Sequence, residues 1–313
     1  MKILVTGGAG FIGSHIVDSL LVKGHDVEVM DNLSGGFRHN LAKGVKLHEL
    51  DVRSEEAAAL IQDGGYEVLI HLAAQMSVAV STAKPRFDAD VNIGGLLNLM
   101  EAARKGGSVK KVLFSSTGGA MYDDSVPFPT PETVDAKPLS PYGIAKLASE
   151  LYLRYYSMNY SIRYTALRLG NVYGPRQNPH GEAGVIAIFA RKILAGEEVC
   201  INGDGLQTRD YIYVGDVANA FLAALERDVE DSINIGTSKE TDVETLHSLL
   251  SESAESTVQA AHAPAKPGEV RRSCLSNHKA KELLDWQPSI QMAEGLTKTI
   301  AFFKRQSGEP EAR

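Results

Sequence analysis

The stretch KILVTGGAGFIGS, residues 2–14, decides the fold class of this chain. Residues 2–6 form a short apolar run that is typical of a buried strand, and the helical pattern SHIVDSLLVKG follows the glycines. Gly7, Gly10 and Gly13 recur between them at intervals of three residues. In a strand–turn–helix unit such glycines permit a tight turn, close approach of a pyrophosphate, and close packing of helix on strand. The stretch therefore predicts a dinucleotide-binding loop.

A carboxylate lies at the expected distance from this loop. The second apolar run, residues 26–30, ends at Asp31. Dinucleotide-binding units carry an acid about twenty residues beyond the glycines, where it binds the ribose hydroxyls. The N-terminus of the helix after the loop offers N–H groups and a partial positive charge to the phosphates. Because the Asp31 carboxylate repels a 2′-phosphate, the sequence predicts NAD rather than NADP as the cofactor.

Apolar strands alternate with helical patterns through the first half of the chain, as in repeated βαβ units. This alternation predicts an α/β fold, with a doubly wound parallel Rossmann sheet and a smaller C-terminal α/β substrate domain. We expect an NAD-binding domain over residues 1–170, to which a strand near 232–237 returns, and a substrate domain over 171–313. The predicted strands are residues 2–6, 26–30, 45–48, 67–72, 110–115, 163–168 and 198–202, and the predicted helices are residues 13–23, 54–63, 92–105, 141–159 and 185–196.

Tyr142 and Lys146 lie four residues apart in PYGIAK, within the predicted helix 141–159. Residues at this spacing share one face of a helix. A phenol loses its proton near pH ~10, and a fixed cation beside it favours the phenolate and lowers the pKa. The pair is therefore a candidate general base. A Tyr-x-x-x-Lys pair alone is weak evidence, and the dinucleotide-binding loop in the same chain strengthens it.

Bulk properties argue against several other classes of protein. The net charge is −7 and no basic run or stripe is present, which disfavours nucleic acid as a partner. No apolar segment reaches membrane-spanning length, so we expect no membrane association. Two cysteines match neither a disulfide framework nor a zinc spacing, and nine histidines are scattered, so we expect no metal and a cytoplasmic location. His71, in the apolar run 68–72, is predicted to be a core residue.

Several motifs together resemble those of the UDP-glucose (UDP-galactose) 4-epimerase family, within the extended short-chain dehydrogenase/reductase superfamily. The resemblance extends over nearly all of the chain, and it is more specific for the superfamily than for the epimerase family. Its motifs are TGGAGFIGSH, Asp31-Asn32, Asp51-Val52, HLAAQ, SSTGGAMY, PYGIAK, GNVYGPRQ, RDYIYVGDVA, KPGEVRRS and Trp286-Gln287-Pro288.

The resemblance implies a set of site residues. It assigns catalysis to Thr117, Tyr142 and Lys146. For Asn92 two roles stay open, a hydrogen bond near the active site or a cap of the helix that follows. The residues implied to contact NAD are Gly7, Gly10, Phe11, Ile12, Gly13, Asp31, Asn32, Asp51, Val52, Leu72, Ala73, Ala74, Asn92 and Lys146. The residues implied to contact the substrate are Thr117, Tyr142, Asn171, Arg209, Lys266 and Glu269.

The resemblance also implies a reaction, the interconversion of UDP-glucose and UDP-galactose. In it, Tyr142 takes the O4 proton while a hydride leaves C4 for NAD. The 4-keto sugar then turns and receives the hydride on its other face, so NAD is regenerated and stays bound. A UDP-hexose is thus the expected partner of residues 171–313, the nucleotide-sugar-binding domain. A homodimer through the apolar faces of helices 92–105 and 141–159 is also expected.

Three positions depart from the family pattern. Asp123 follows Tyr122 where relatives have glycine, and Lys266 stands where many relatives have arginine. Ser273 falls where a bulky residue restricts the sugar pocket in some relatives. The small side chain of Ser273 suggests that 2-acetamido sugars are accepted as well.

Other reactions use the same core. Gly118 and Gly119 occupy the places where a 4,6-dehydratase commonly has Asp-Glu, which disfavours dehydration. Residues 76–80 offer no cation for a sugar carboxylate, which disfavours a UDP-glucuronate 4-epimerase or decarboxylase without excluding it. Another NAD-dependent nucleotide-sugar oxidoreductase stays open, because nothing in the sequence shows that the hydride returns to the same carbon. A non-catalytic NAD-binding sensor is the alternative outside enzymes, and the presence of Tyr142 and Lys146 argues against it.

Overall fold

Parallel strands form the main sheet of the computed structural model, which describes residues 1–179, 184–265 and 270–307. Seven strands of this described part pair in the order β11-β6-β5-β4-β1-β2-β3. The chain moves outward from β1 in one direction and then from β4 in the other, so a topological switch point lies between them. The strands are β1 (Lys2–Thr6), β2 (Asp26–Met30), β3 (Lys46–His48), β4 (Val68–His71), β5 (Lys111–Thr117), β6 (Arg163–Leu169), β7 (Asn171–Tyr173), β8 (Val199–Asn202), β9 (Thr208–Arg209), β10 (Tyr211–Tyr213), β11 (Asp231–Ile235), β12 (Thr241–Asp242), β13 (Ala260–Ala263) and β14 (Arg272–Ser273).

Helices cover both faces of this sheet. Alternate residues of a strand point to opposite faces. Ile3 and Val5 accordingly pack in a core with helices α1, α8 and α10, whereas Leu4 packs in a second core with α2, α5 and α6. The helices are α1 (Phe11–Val22), α2 (Glu55–Asp63), α3 (Val78–Ala83), α4 (Pro85–Ala89), α5 (Gly95–Gly106), α6 (Pro141–Tyr160), α7 (Val185–Leu194), α8 (Val214–Glu226), α9 (Val243–Ala254), α10 (His278–Leu284) and α11 (Met292–Ser307), with a 3-10 turn at Arg38–Asn40 and a π-helical turn at Asp90–Gly94. The predicted α/β class with a doubly wound parallel sheet is confirmed.

A third apolar core lies in the second half of the chain. It joins α7, α9 and α11, and β8 and β10 lie beside it. The strands of this half form small sheets: β10 pairs with β7, β13 pairs with β8, and β9 lies between β12 and β14. Helices α8 and α10 and strand β11 also come from this half, yet they pack on the main sheet. The two halves of the chain are therefore interleaved.

Helix boundaries follow the local chemistry of the sequence. Helix α6 starts with Pro141, whose missing N–H is not needed at a first helical position, and the Ser140 hydroxyl accepts a hydrogen bond from the Gly143 N–H at 3.2 Å. The predicted helix 92–105 is shorter than expected as an α-helix, because residues 90–94 form the π-helical turn. No sequence pattern predicted helices α3 and α4. Each is too short for a helical period of apolar residues to be recognised.

Candidate active site

The glycine loop closes tightly on itself and on the next strand. A Cβ atom at Gly13 would lie 2.2 Å from the Gly7 carbonyl oxygen, and one at Gly7 would lie 2.7 Å from the Ala73 nitrogen. Gly7 also has a φ of +69°, a conformation that glycine adopts at no steric cost. Helix α1 begins at Phe11 and Ile12, directly after Gly10. Its first N–H groups have no acceptor within the helix and face the carboxyl edge of the sheet.

Asp31 lies at the end of β2 and faces this loop. It is buried, and its two carboxylate oxygens accept hydrogen bonds from the backbone N–H groups of Ala9 at 3.0 Å and Leu33 at 2.8 Å. Burial raises the pKa of Asp31, and these two hydrogen bonds oppose the rise. A carboxylate has about four acceptor positions, so Asp31 keeps lone pairs for the hydroxyls of a ribose.

Asn32 and Asp51 meet beyond Asp31. The Asn32 amide donates to the Asp51 carboxylate at 3.1 Å, and the Arg53 guanidinium donates to both of its oxygens at 2.8 and 2.9 Å. These bonds from Arg53 lower the pKa of Asp51 to about 2. Val52 is buried against Gly95, where a Cβ would lie 2.6 Å from its side chain. Asp51 and Val52 are thus fixed in place at the predicted adenine end.

The segment Leu72–Ala74 passes directly over Gly7. The Leu72 N–H donates to the Thr6 carbonyl at 3.1 Å, and the Ala73 N–H donates to the Thr6 hydroxyl at 3.3 Å. The same hydroxyl lies 2.7 Å from Nδ1 of His71, which is buried and has a pKa lowered to about 3 by burial and by the Lys146 charge. His71 is a neutral core residue, as predicted.

Asn92 does not cap a helix. It lies buried inside the π-helical turn, where its amide Nδ2 donates to the Gln75 carbonyl at 2.9 Å and its Oδ1 accepts from the Gln75 N–H at 2.9 Å. The capping role left open by the sequence is therefore wrong, because helical residues continue on both sides of Asn92. Its side chain instead holds the loop that follows Ala74.

These groups fit an NAD molecule. The fit rests on a glycine cradle that a Cβ would fill, an acid with spare lone pairs at the end of the second strand, and a helix N-terminus between them. The glycine loop and the start of α1 follow β1 at the switch point between β1 and β4, where open α/β sheets bind ligands, and Asp31 follows the neighbouring strand β2. Leu72, Ala73 and Ala74 form the wall of the site beside the glycines.

Tyr142 and Lys146 lie on one face of α6 at the other side of this crevice. The Lys146 side chain is buried, and its ammonium donates to the Ser115 carbonyl at 2.8 Å and lies 5.8 Å from the centre of the Tyr142 ring. Burial lowers the pKa of Lys146 to about 8, although Asp88 and Glu150 act in the opposite direction. The pair shares a face as the spacing predicts.

The proton affinity of Tyr142 differs from the expectation. Withdrawal from water and the negative charge of Asp88 raise the pKa of Tyr142 to about 12 in the protein alone. The prediction that Lys146 lowers the pKa of Tyr142 is wrong for the protein alone. The lysine ammonium is turned toward the backbone of β5 and the Phe114 ring, 4.7 Å from the ring centre. A further positive charge near the phenol is needed before it ionises near neutrality.

Thr117 ends β5 and lies at the turn that leads toward α6. Its hydroxyl accepts a hydrogen bond from the Ala120 N–H at 3.2 Å, which fixes the turn over Gly118 and Gly119. A Cβ at Gly119 would lie 3.7 Å from Asn171 Oδ1 and 3.9 Å from the Ser273 hydroxyl. Three distant segments therefore meet beside Thr117: the turn after β5, the start of β7, and β14.

Arg209 lies opposite Ser273, in the parallel pairing of β9 with β14. Its guanidinium donates to the Thr208 carbonyl at 2.8 Å, and its side chain is partly buried. Lys266 and Glu269, the other two residues predicted to contact substrate, lie outside the described residues. Arg176 is paired with Asp18 of α1 at 2.7 Å.

A buried polar cluster, absent from the sequence-based expectations, supports α6. Glu150, four residues after Lys146, accepts from Arg168 at 2.6 Å, from Ser116 at 2.5 Å and from Ser232 at 2.8 Å. Arg168 also donates to the Tyr122 hydroxyl at 2.7 Å. The spacing of Tyr142, Lys146 and Glu150 on one helix face is the signal that was available. Arg168, the partner of Glu150, lies in an apolar strand, and no sequence pattern indicated this pairing.

The described part of the chain holds no group of three or more His, Cys, Asp or Glu residues arranged to bind a metal ion. Within the same ranges, none of the helices combines the length and apolarity that a bilayer crossing requires.

Comparison with known proteins agrees with this geometry. A model of the NAD dependent epimerase/dehydratase family matches residues 3–236. The chain belongs to this family. The match confirms the predicted superfamily, NAD as the cofactor and the assignment as an enzyme.

Individual members of the family are similar over their whole length. A UDP-glucose 4-epimerase of Mycolicibacterium smegmatis is 42% identical over 98% of this chain and 100% of its own. The crystal structure of the Thermotoga maritima UDP-glucose 4-epimerase with UDP-glucose has 48% identity and a TM-score of 0.95, covering 98% of this chain and 100% of that one. The Thermus thermophilus UDP-glucose 4-epimerase complex with NAD has 43% identity and a TM-score of 0.91, covering 97% and 99%.

Proposed function

We propose that this chain interconverts UDP-glucose and UDP-galactose at C4 of the hexose, with NAD bound throughout. The observation that carries the proposal is the meeting of Tyr142 and Lys146 with the carboxyl edge of a sheet that also presents the glycine loop and Asp31. The full-length similarity to UDP-glucose 4-epimerases supports the choice of substrate.

We propose a catalytic role for each of three side chains. Tyr142 takes the proton from O4 and later returns it to the same oxygen on the other face of the sugar. Thr117 donates a hydrogen bond that orients O4. Lys146 holds the phenolate and the ribose with a charge that is already buried. Bound NAD, held by the glycine loop and Asp31, would supply the hydride acceptor for C4 and a positive charge that would lower the pKa of Tyr142.

The raised pKa of Tyr142 links ionisation of this phenol to the presence of the cofactor. With a pKa of about 12 the free protein keeps the phenol protonated at neutral pH. The base forms only when a positive charge is beside it. The charge state of Tyr142 is therefore tied to the oxidised cofactor.

The substrate contacts are proposed for the second half of the chain. We assign the nucleotide-sugar-binding domain to residues 171–313 and the NAD-binding domain to residues 1–170, with β11 returning to the latter. Asn171 reaches the sugar from the start of β7. Arg209, Lys266 and Glu269 bind the diphosphate and the uridine. Because the Ser273 hydroxyl and Asn171 both lie near Gly119, a small side chain at position 273 leaves room for a 2-acetamido group.

The first test is to incubate the purified protein with UDP-galactose and no added cofactor, and to separate UDP-glucose from UDP-galactose by chromatography. We expect conversion, because NAD stays with the protein. The same assay with UDP-N-acetylgalactosamine tests the Ser273 argument. Failure to convert either sugar, even with added NAD, contradicts the proposal and favours a net dehydrogenase.

We also propose a homodimer, through α6 alone. The expected contribution of helix 92–105 is wrong, because Leu96, Leu99 and Met100 of α5 are buried in the core of the chain. Ile144, Leu151, Tyr155 and Met158 are exposed apolar side chains at intervals of seven, four and three residues, so they lie along one side of the helix. Light scattering is expected to give twice the mass of the chain, and Leu151→Glu with Met158→Glu is expected to give the monomer. We place the protein in the cytoplasm, since both cysteines are free.

A further inference from the structure

Asp88 is a buried acid with no assigned role. It lies in α4, only 1% exposed, and α4 packs against α6, the helix of Tyr142 and Lys146. Its Oδ1 accepts hydrogen bonds from the Gln75 side chain at 2.7 Å and the Asn92 side chain at 3.0 Å. Its Oδ2 is buried and has no hydrogen-bond partner among the described residues.

The neighbours of Asp88 connect it to the wall of the active site. Gln75 is held at both ends, since its amide donates to the Ser77 carbonyl at 2.9 Å and its Oε1 accepts from the Ser77 N–H at 2.6 Å. The Asn92 side chain hydrogen-bonds to both the N–H and the carbonyl of Gln75. The Ser149 hydroxyl of α6 lies 3.3 Å from the Asn92 carbonyl, although its shorter hydrogen bond is to the Ala145 carbonyl at 2.8 Å. Asp88 is thus the carboxylate at the centre of a network that joins the segment Ala73–Ser77 to α6.

The charge of Asp88 is not cancelled by an ion pair. Within the described ranges no cation lies within the 4.0 Å of a salt bridge to this carboxylate. The titratable groups that face it are Tyr142 and Lys146, both on α6, while the Gln75 and Asn92 side chains that touch it are neutral. Its negative charge raises the pKa of Tyr142 and of Lys146 alike. Burial raises the pKa of Asp88 itself, against the hydrogen bonds from Gln75 and Asn92 and the charge of Lys146.

We propose that Asp88 is a positioning residue, which fixes the segment Ala73–Ser77 through its hydrogen bonds to Gln75 and Asn92 and places an unpaired buried charge against α6, the helix of Tyr142 and Lys146. The inference rests on the proposed function, in which Tyr142 is the base. It adds a residue whose charge influences the pH range in which Tyr142 and Lys146 act.

The variant Asp88→Asn separates charge from position. Its side-chain oxygen still accepts from Gln75 and Asn92, so the segment Ala73–Ser77 stays in place while the negative charge is lost. We expect both limbs of the pH profile of kcat/KM for UDP-galactose to move to lower pH. A like or opposite charge at close range shifts a pKa by about one unit or more. The acid limb follows Tyr142 and the alkaline limb follows Lys146, because Asp88 raises the pKa of both.

Two further variants complete the design. Asp63→Asn makes the same change of charge on an exposed residue at the end of α2 and is expected to leave both limbs in place. Asp88→Ala removes charge and hydrogen bonds together, so both limbs move and kcat also falls. It keeps the charge test available if the asparagine variant does not fold.

A second readout needs no turnover. With 3-fluorotyrosine placed at position 142 alone, the fluorine resonance reports the ionisation of that ring in the protein without substrate. Its midpoint is expected to be lower in Asp88→Asn than in the parent chain, and unchanged in Asp63→Asn. This titration tests Asp88 even if the protein does not convert UDP-galactose, so the two proposals fail separately.

Unmoved pH limbs in Asp88→Asn, together with an unchanged fluorine midpoint, overturn the inference. A changed KM with unmoved limbs also overturns it, because Asp88 then only supports the segment. A shift of both limbs toward the acid side, absent in Asp63→Asn, supports it.

Discussion

The two sides of the active-site crevice are built in different ways. On the nucleotide side, backbone meets backbone, so that a Cβ at Gly13 would come within 2.2 Å of the Gly7 oxygen. On the side proposed for the sugar, side chains pair with one another, as Arg271 does with Asp204 at 2.7 Å and Arg272 with Glu240 at 2.5 Å. A Cβ at Gly119 on that side has no atom nearer than 3.7 Å.

This difference has a chemical meaning. The cofactor is the same in every turnover, so its cradle can be a close-packed main-chain loop of fixed shape. In the proposed reaction the sugar turns between two orientations, and side chains such as Asn171 and Ser273 near Gly119 can adjust to both more easily than a close-packed main chain can.

The largest expected effect separates chemistry from binding. Tyr142→Phe removes the proton acceptor and leaves the nucleotide side untouched. We expect turnover of UDP-galactose to fall by roughly 10²- to 10⁴-fold, while NAD still copurifies with the protein. Asn171→Ala, on the sugar side, is expected to raise KM more than it lowers kcat. Equal loss of turnover in both variants would contradict the assignment of Tyr142 as the general base and Asn171 as a residue that only contacts the sugar.

The next effect concerns stability and compares a buried with an exposed ion pair. Arg168→Met leaves Glu150 buried without its cation, which is expected to lower the free energy of unfolding by about 3–5 kcal/mol. Arg271→Met breaks a pair between half-exposed side chains and is expected to leave the denaturation midpoint unchanged. Urea titration of both variants measures the difference.

A pH dependence of stability is expected from the main sheet. Burial alone raises the pKa of Glu28, but hydrogen bonds from His48, Tyr66 and Lys46 outweigh it and lower the pKa to about 2. Because the folded pKa lies below the ordinary glutamate value of 4.5, the stabilisation is present above pH 4.5 and is lost as the pH falls toward 2. It amounts to on the order of 3 kcal/mol.

Thermal unfolding between pH 7 and pH 3 tests this dependence. Glu28→Gln is expected to unfold at a lower temperature than the parent at pH 7 and to lose less on acidification. Glu294→Gln, at an exposed i,i+4 pair with Lys298 in α11, serves as the control and is expected to follow the parent curve. A parallel pH response in Glu28→Gln would show that other carboxylates dominate.

The smallest expected effect tests the two sides directly with one added methyl group. Gly13→Ala forces the backbone of the glycine loop apart, at a cost of about 1–3 kcal/mol, and is expected to reduce the NAD that copurifies. Gly119→Ala fits without a clash and is expected to keep the bound NAD while raising the KM for the sugar. Absorbance of the released cofactor measures the first effect.

The sheet was predictable because its strands are short apolar runs with clear ends. Strand β2 begins and ends at the predicted residues 26 and 30, and α6 extends one residue beyond the prediction. Strands and helices of this kind are predictable because their apolar residues recur with periods of two and 3.6 residues. The glycine spacing also fixed the expected place of the nucleotide, and the family match confirms the cofactor.

The rest depends on contacts between residues far apart in the chain. The π-helical turn around Asn92 cannot be read from periodicity, because its five residues continue a helical pattern. The pKa of Tyr142 was expected to fall, since Lys146 is near in sequence, whereas burial and Asp88 control it in the fold. Likewise, the pair Arg168–Glu150 joins a strand to a helix that precedes it. The assigned roles of the site residues and the boundary at 170 stay predictions until the variants are measured.

Strand β11 has a consequence for the growing polypeptide. It pairs in register with β6, yet helix α7, the strands β7–β10 and helix α8 lie between them in the chain. During synthesis the edge of β6 stays open until the ribosome has passed Ile235, and an open edge of an apolar strand invites pairing with other chains. A polypeptide cut at residue 170 would carry that edge permanently. The order in which the chain is made thus sets a period of vulnerability to aggregation, one that ends only when the second half has begun to fold.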